Sequence, residues 1–335
     1  QLLLHTLKDD EIDTVIHMAA MQMPFCQADP VLGARVNVEG TVNMFESVKA
    51  CGLKKLVYAS STAVYGLTEE YEGGVYDNRS PFHPHAHYGV YKQANEWSAS
   101  IYYEKACISS IGLRPYVAYG PLRDQGMTPT PTTAMKAAVK GEAYEISYGG
   151  DFDFQYVDDV AKAFIMAAEA EYEGAHCFNF AGNSVNMTEV VKAIEEACPQ
   201  AKGLITFKDE PLPFPKNVSG NELDRLIGEV PVTPLAEGVR QLGRMVTVIL
   251  AAACVVSMAG CRQKQAPAGT AEAPKTTEAA KEAAAEPAAA ENKEAGEKIK
   301  IGISMQGNQS GFVQYFTSAM YEYQATKAQD IDMEV

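Results

Sequence analysis

Tight groupings of cysteine are missing from this chain. Its seven cysteines, at 26, 51, 107, 177, 198, 254 and 261, form no C-x-x-C pair, which argues against a zinc site and against a disulfide framework. The first five read as reduced thiols in a cytoplasmic setting. Positive charge is scarce too: 28 Lys and Arg face 43 Asp and Glu, a formal net charge of -15, with a pI near 4.9. That balance excludes nucleic acid as a general partner, because phosphate backbones are bound by basic faces. No G-x-x-G-x-x-G turn follows a strand. What the chain does have is length and apolar content, 335 residues of which 47% are hydrophobic, enough for a sizeable core and for more than one domain.

The densest chemistry lies at Tyr88-Gly89-Val90-Tyr91-Lys92, with Ala59-Ser60-Ser61-Thr62-Ala63-Val64-Tyr65-Gly66 upstream of it. Residues four apart share a helix face, so the Tyr88 hydroxyl and the Lys92 ammonium can serve one site. A free phenol has a pKa of about 10, too high for a base at neutral pH, and a fixed cation beside it favours the phenolate. A hydroxyl at a strand end, Ser61, would hold the reacting oxygen within hydrogen-bond reach. By itself Tyr-x-x-x-Lys is a common accident with a solvated lysine, so the surrounding sequence has to decide.

Hydropathy patterning predicts helices alternating with strands. Residues 2–7 end a helix before a strand at 14–18. Asp29-Pro30 opens a helix, with Val31, Ala34, Val38, Val42, Phe45 and Val48 as its buried stripe up to Gly52. A strand over 55–60 presents Ser60, Ser61 and Thr62 at its end, and a loop over 67–87 leads into the helix of Tyr88, Lys92, Glu96 and Trp97. His83, His85 and His87 alternate in that loop, but no carboxylate or thiolate completes a metal set, so they line a substrate mouth or are exposed and no metal is expected. A strand over 109–115 precedes a loop at 119–126 whose one cation, Arg123, either meets an anionic substrate group or is a solvated arginine. Then come a helix at 133–140, a strand at 144–148, a helix opened by Asp158-Asp159 as dipole partners, a strand at 176–180 and a helix capped by Thr188 and running to Cys198.

Several segments stand in a distinctive order: Asp13 to Ala20, Asn37 to Thr41, Ala59 to Gly66, Tyr88 to Lys92, Leu113-Arg-Pro-Tyr-Val-Ala-Tyr-Gly-Pro121 and Phe154-Gln-Tyr-Val-Asp-Asp-Val160. Through them residues 1–242 resemble the extended short-chain dehydrogenase/reductase family, in its NAD-dependent sugar epimerase/dehydratase branch. The resemblance implies an α/β fold, an incomplete Rossmann-like doubly wound parallel sheet with a small substrate domain. It implies that Tyr88, as phenolate, takes the proton of a sugar hydroxyl while the ring carbon gives hydride to NAD. Ser61 would orient the hydroxyl, and Lys92 would bind the nicotinamide ribose and lower the Tyr88 pKa. Ala19, Ala20, Asn37, Ser60 and Pro115 become cofactor-lining positions beside Tyr88 and Lys92, while Ser61, Thr62 and Arg123 face the substrate.

The implied cofactor is NAD or NADP, with NAD favoured, and the implied partner a small-molecule sugar or nucleotide-sugar; a homodimer is an assembly the family allows. Phe152 stands where relatives acting on nucleotide sugars usually carry a diphosphate-gripping arginine, and Val117 where the 4-epimerases carry asparagine. Epimerase, dehydratase and dehydrogenase therefore stay open. The first strand, the glycine-rich turn and the ribose-holding acid of such a fold come before a strand like 14–18. Two β-α units, roughly 60 residues, are thus expected to be missing, and cofactor binding with them.

Beyond residue 242 the composition changes. Arg244 precedes an apolar run from Met245 to Gly260 and then Cys261, too short for a span of about 20 residues. It resembles a bacterial lipoprotein signal with Cys261 as the lipidated residue, the only route to membrane attachment. Residues 262–297, nearly all Ala, Glu, Lys, Pro, Gln and Thr, read as a disordered tether. Residues 298–335 resemble the opening β-α-β of periplasmic sugar-binding proteins of transport systems, with Phe312 or Tyr315 as the sugar-stacking aromatic. On this reading two genes are joined, residues 1–242 cytoplasmic and 245–335 exported. The expected activity is that of the larger piece, inactive in this truncated fusion, with a sugar-binding lipoprotein or a non-functional chimera of two genes as the alternatives.

Overall fold

The computed structural model describes residues 2–179, 181–214, 217–218, 221–260, 299–305, 320 and 331–334. Short β-rich runs alternate with helices along the first half, and a helix between two strands returns the chain to the same end of a sheet, so the strands run parallel. α1 (Leu2–Asp9) leads to β1 (Thr14–His17); α2 (Met23–Ala28), α3 (Pro30–Ala34), a π-helical turn (Arg35–Glu39) and α4 (Gly40–Ala50) lead to β2 (Lys55–Ala59). After a short β3 (Val75–Tyr76) come α5 (His87–Ala106), β4 (Ser109–Arg114), β5 (Val117–Tyr119), α6 (Thr130–Lys140), β6 (Tyr144–Ile146) and β7 (Asp151–Tyr156). α7 (Val157–Glu169), β8 (Ala175–Asn179), β9 (Asn183–Asn186) and α8 (Met187–Ala197) follow. β10 (Ile205–Phe207), β11 (Asn217–Val218), α9 (Asn221–Ile227), α10 (Leu235–Gly260), β12 (Ile299–Ser304) and β13 (Ile331–Glu334) complete the order.

Six strands make one parallel sheet in the order β13-β12-β1-β2-β4-β8. Strand side chains alternate between faces. Val15, Leu56 and Tyr58 pack with Leu7, Phe45 and Val48 on one face, while Ile16, Val57 and Ile111 meet Val160, Ala161 and Phe164 of α7 on the other. This is an α/β fold on a parallel central sheet. A smaller sheet, β5-β7-β9, lies beside it, with β7 and β9 antiparallel.

Several local expectations are corrected. The stripe expected from Val31 to Val42 is not the buried side: Val31 is exposed and Ala34, Val38 and Val42 are only half-buried, while Gly33, Asn37 and Thr41 are buried. The π turn at 35–39 inserts a residue into the helical repeat and rotates the face that follows. Strands β5 and β7 fall in segments read as loop or motif. The cap of α8 is Asn186, whose side chain accepts from the Thr188 amide. Asp159 is a strap, accepting from the amide and hydroxyl of Thr233 at 2.6 and 2.9 Å.

The division expected at residue 242 falls inside α10, where Val239, Leu242 and Val246 are buried on one face against the core of α6 and α8. Likewise β12 does not stand apart: it pairs with β1, Ile301 and Ile303 are buried, and the Lys300 amide donates to Asp13 at 2.8 Å. Cys261, residues 262–297, Phe312 and Tyr315 lie outside the described residues. Among those described, no helix is long and apolar enough to cross a membrane.

A buried ion pair fixes α5 on the sheet. Arg114, at the end of β4, gives Nε and Nη2 to the two oxygens of Glu96 at 2.8 and 2.7 Å, and Ser60 Oγ donates to the same carboxylate at 2.5 Å. Arg114 Nη1 also donates to the Tyr65 hydroxyl at 2.6 Å. Removing one partner of such a pair leaves a buried charge uncompensated. Glu96→Ala is expected to cost about 3–5 kcal/mol in denaturant unfolding, and the double variant Glu96→Leu/Arg114→Met less than the two single changes summed.

Candidate active site

The carboxyl ends of parallel strands collect side chains that the strands themselves do not use for pairing. Ala19 and Ala20 follow β1, Ser60 to Thr62 follow β2, and Pro115 follows β4. The Pro115 carbonyl accepts from the Thr62 amide and hydroxyl, both at 3.3 Å, which draws the ends of β2 and β4 together. Ser61 Oγ accepts from the Ala63 amide at 3.2 Å and starts a short 3-10 turn. Gly89 lets α5 touch that turn, since a Cβ there would run into the Ala63 carbonyl. Tyr88 and Lys92 are brought to the strand end in this way.

A cavity of about 110 Å³ opens at this point, lined by Gln22, Ser61, Thr62, Tyr88, Tyr116 and Arg123 together with Val117, Met127 and Phe214. The Ser61 hydroxyl lies beside the Tyr88 phenol and favours its ionised form, and so does the charge of Arg123. Burial outweighs both and pushes the phenol up to about 12. Lys92 Nζ lies 5.5 Å from the centre of the Tyr88 ring and donates to the Ala59 carbonyl at 2.5 Å. Burial lowers its ammonium to about 8, opposed by Cys26 and Glu96. The expectation that Lys92 pulls the phenol down is therefore corrected: Arg123 is the cation whose charge reaches the phenol, because the Lys92 ammonium is turned to the strand-end carbonyl.

Two residues read as cofactor-lining turn inward. Ser60 is buried with its hydroxyl on Glu96. Asn37 is also buried, where its carboxamide accepts from the Met21 amide at 2.6 Å and donates to the Met21 carbonyl at 2.9 Å. It holds the loop after β1 instead of a ligand. Ala19, Ala20 and Pro115 are half-buried at the strand ends. Phe152 is fully buried, edge-on to Tyr148 and Phe154, and Val117 is on the cavity wall. Glu70, which spacing does not associate with the histidines, meets His85 at 3.0 Å and His83 at 3.7 Å; no metal-competent group of three occurs among the described residues. His17, at the end of β1, lies 3.2 Å from both Ser304 Oγ and Thr41 Oγ1 and is held neutral, its pKa lowered to about 3 by burial and by Lys92.

Gln22, Tyr116 and Phe214 were not singled out in the sequence. Gln22 and Phe214 have no local signal, and Tyr116 is visible only as part of the Leu113 to Pro121 segment. For a dinucleotide the Lys92 ammonium is the best-fitting group: one of its three hydrogens is on Ala59, and the small residues Ala19, Ala20 and Pro115 stand at the adjoining strand ends.

A model of the NAD dependent epimerase/dehydratase family matches residues 1–181. The UDP-glucose 4-epimerase of Mycolicibacterium smegmatis is 28% identical over 240 residues, 68% of this chain and 74% of that protein. Among solved structures, the Thermus thermophilus UDP-glucose 4-epimerase complex with NAD aligns at a TM-score of 0.62 and 26% identity, covering 73% of this chain and 81% of that one. The UDP-N-acetylglucosamine 4-epimerase of Methanobrevibacter ruminantium, in complex with UDP-N-acetylmuramic acid, aligns at 0.63 and 25% identity over 75% of this chain and 80% of its own. With its matched segment spanning more than half of the 335 residues, the chain is an enzyme and belongs to the NAD dependent epimerase/dehydratase family.

Proposed function

We propose that the enzyme oxidises a secondary hydroxyl of a sugar or nucleotide-sugar, as an epimerase, dehydratase or dehydrogenase, with Tyr88 as the proton acceptor. The observation that carries this reading is the meeting of Tyr88, Ser61 and Arg123 on one cavity at the carboxyl end of a parallel sheet. Ser61 donates to the substrate oxygen and sets its distance from the phenol. Tyr88 takes the hydroxyl proton, and the charge of Arg123 stabilises the phenolate that must form first. Lys92 holds ribose hydroxyls with the hydrogens Ala59 leaves over. When bound, NAD or NADP supplies the acceptor for the hydride.

A phenol near 12 and an ammonium near 8 make the reaction pH-dependent. The ionised fraction of Tyr88 grows with pH, so kcat/KM is expected to rise through neutrality and to level off or fall above about 8, where Lys92 loses its proton. Tyr88→Phe should lower turnover of sugar substrates about 10²–10⁴-fold with little change in thermal midpoint; turnover within a factor of a few of wild type would overturn the assignment.

Lys92 also carries a stability cost. Its folded pKa lies below the ordinary 10.5, so the native state releases the proton first and stability rises as pH climbs from about 8 towards 10.5. Below about 8 the full cost, on the order of 3 kcal/mol, is present. Lys92→Met is expected to raise the thermal midpoint at pH 7, the gap closing at high pH, while removing activity.

Val31, Val90, Trp97 and Ile101 are exposed on α3 and α5, whose neighbourhood is fixed by a hydrogen bond from the Tyr91 hydroxyl to the Pro30 carbonyl. This face fits a homodimer related by a two-fold axis. Light scattering should give a dimer for the full chain and a monomer for Trp97→Glu/Ile101→Glu.

A further inference from the structure

The cavity at Tyr88 carries charge of one sign. Among the described residues that line it, Arg123 is the only one with a permanent charge, and Asp124 beside it in sequence is exposed. Two backbone features aim the guanidinium. Leu122 has φ 63, a left-handed conformation a leucine rarely adopts, and Gly126 has φ 98. Arg123 Nη1 donates to the Gln125 carbonyl, which holds the planar fork in place. Nη2 lies 3.1 Å from where a Cβ of Gly126 would be, and Gln22 Oε1 crowds the same point. Gln22 Oε1 is itself buried with no hydrogen-bond partner in the structure, an acceptor for a donor that the protein does not supply.

We propose that this site takes a hydroxy acid, its carboxylate on Arg123, one hydroxyl donating to Gln22 Oε1, and the reacting hydroxyl between Ser61 and Tyr88. The inference rests on the proton-transfer reading above and names the substrate class of the same site. A guanidinium fork matches a carboxylate in shape and in unit charge, whereas a phosphate dianion would need a second cation that the lining does not contain. A strained turn that brings the one cation and an unpaired acceptor to the reacting hydroxyls serves recognition near the reacting carbon, not at a distant group.

Matched pairs of acid and neutral compound, galacturonate with galactose and gluconate with sorbitol, are to be titrated against the full chain by saturation-transfer NMR. At least one acid should bind about tenfold more tightly than its neutral counterpart, a difference of about 1.4 kcal/mol. Arg123→Gln should abolish the preference and Arg123→Lys keep part of it, while Tyr88→Phe leaves it intact. Equal binding within every pair, a preference that survives Arg123→Gln, or stronger competition from inorganic phosphate than from any acid overturns the proposal. A Tyr88→Phe enzyme that still transfers hydride would sink the catalytic reading and leave the acid preference standing, so the two fail separately.

Discussion

The Glu96 carboxylate, closed off from water, takes hydrogen bonds from Arg114 at the end of β4 and Ser60 at the end of β2. Because Glu96 is one turn along α5 from Lys92 and two from Tyr88, this one anchor sets both the depth and the rotation of the helix over the sheet. Neither the phenol nor the ammonium could be held at the strand end by its own bonds, since each makes few. A charged pair in the core adds little net stability over apolar residues of the same size; what it adds here is a single docking geometry for the helix that bears Tyr88 and Lys92.

The site itself is electrostatically costly. An ammonium pushed down to about 8, a phenol pushed up to about 12 and an imidazole kept neutral at about 3 are all displaced by burial in the direction that disfavours charge. Such groups survive where the surrounding frame overdetermines their position, and the frame here is a six-stranded parallel sheet packed on both faces. Ser61, Tyr88 and Arg123 line one cavity although they come from three different segments, which meet at the carboxyl end of the sheet.

Part of this was legible from the chain alone. Tyr88 and Lys92 share a helix face because 3.6 residues make a turn, and Ser61 ends a strand because an apolar run stops at hydroxylated residues. A regular helical repeat would bury the outer face of 30–42, and the π turn at Arg35–Glu39 breaks that repeat without any change in hydropathy. Ser60 and Asn37 are cofactor-lining positions only through the family resemblance of the segments that hold them. Their side chains instead satisfy Glu96 and the Met21 backbone, a choice made by packing.

The sequence by itself determined the alternation of strand and helix, the family, and the shared helix face of Tyr88 and Lys92, whose spacing is local. Only the tertiary structure decided that Arg123 reaches the Tyr88 phenol while Lys92 turns to Ala59, that Gln22 and Phe214 join the same wall, and that β12 pairs with β1. Local periodicity reports which face of an element is apolar, whereas contact between segments a hundred residues apart depends on how closely two backbones can approach, and that is set by the shape of everything packed between them.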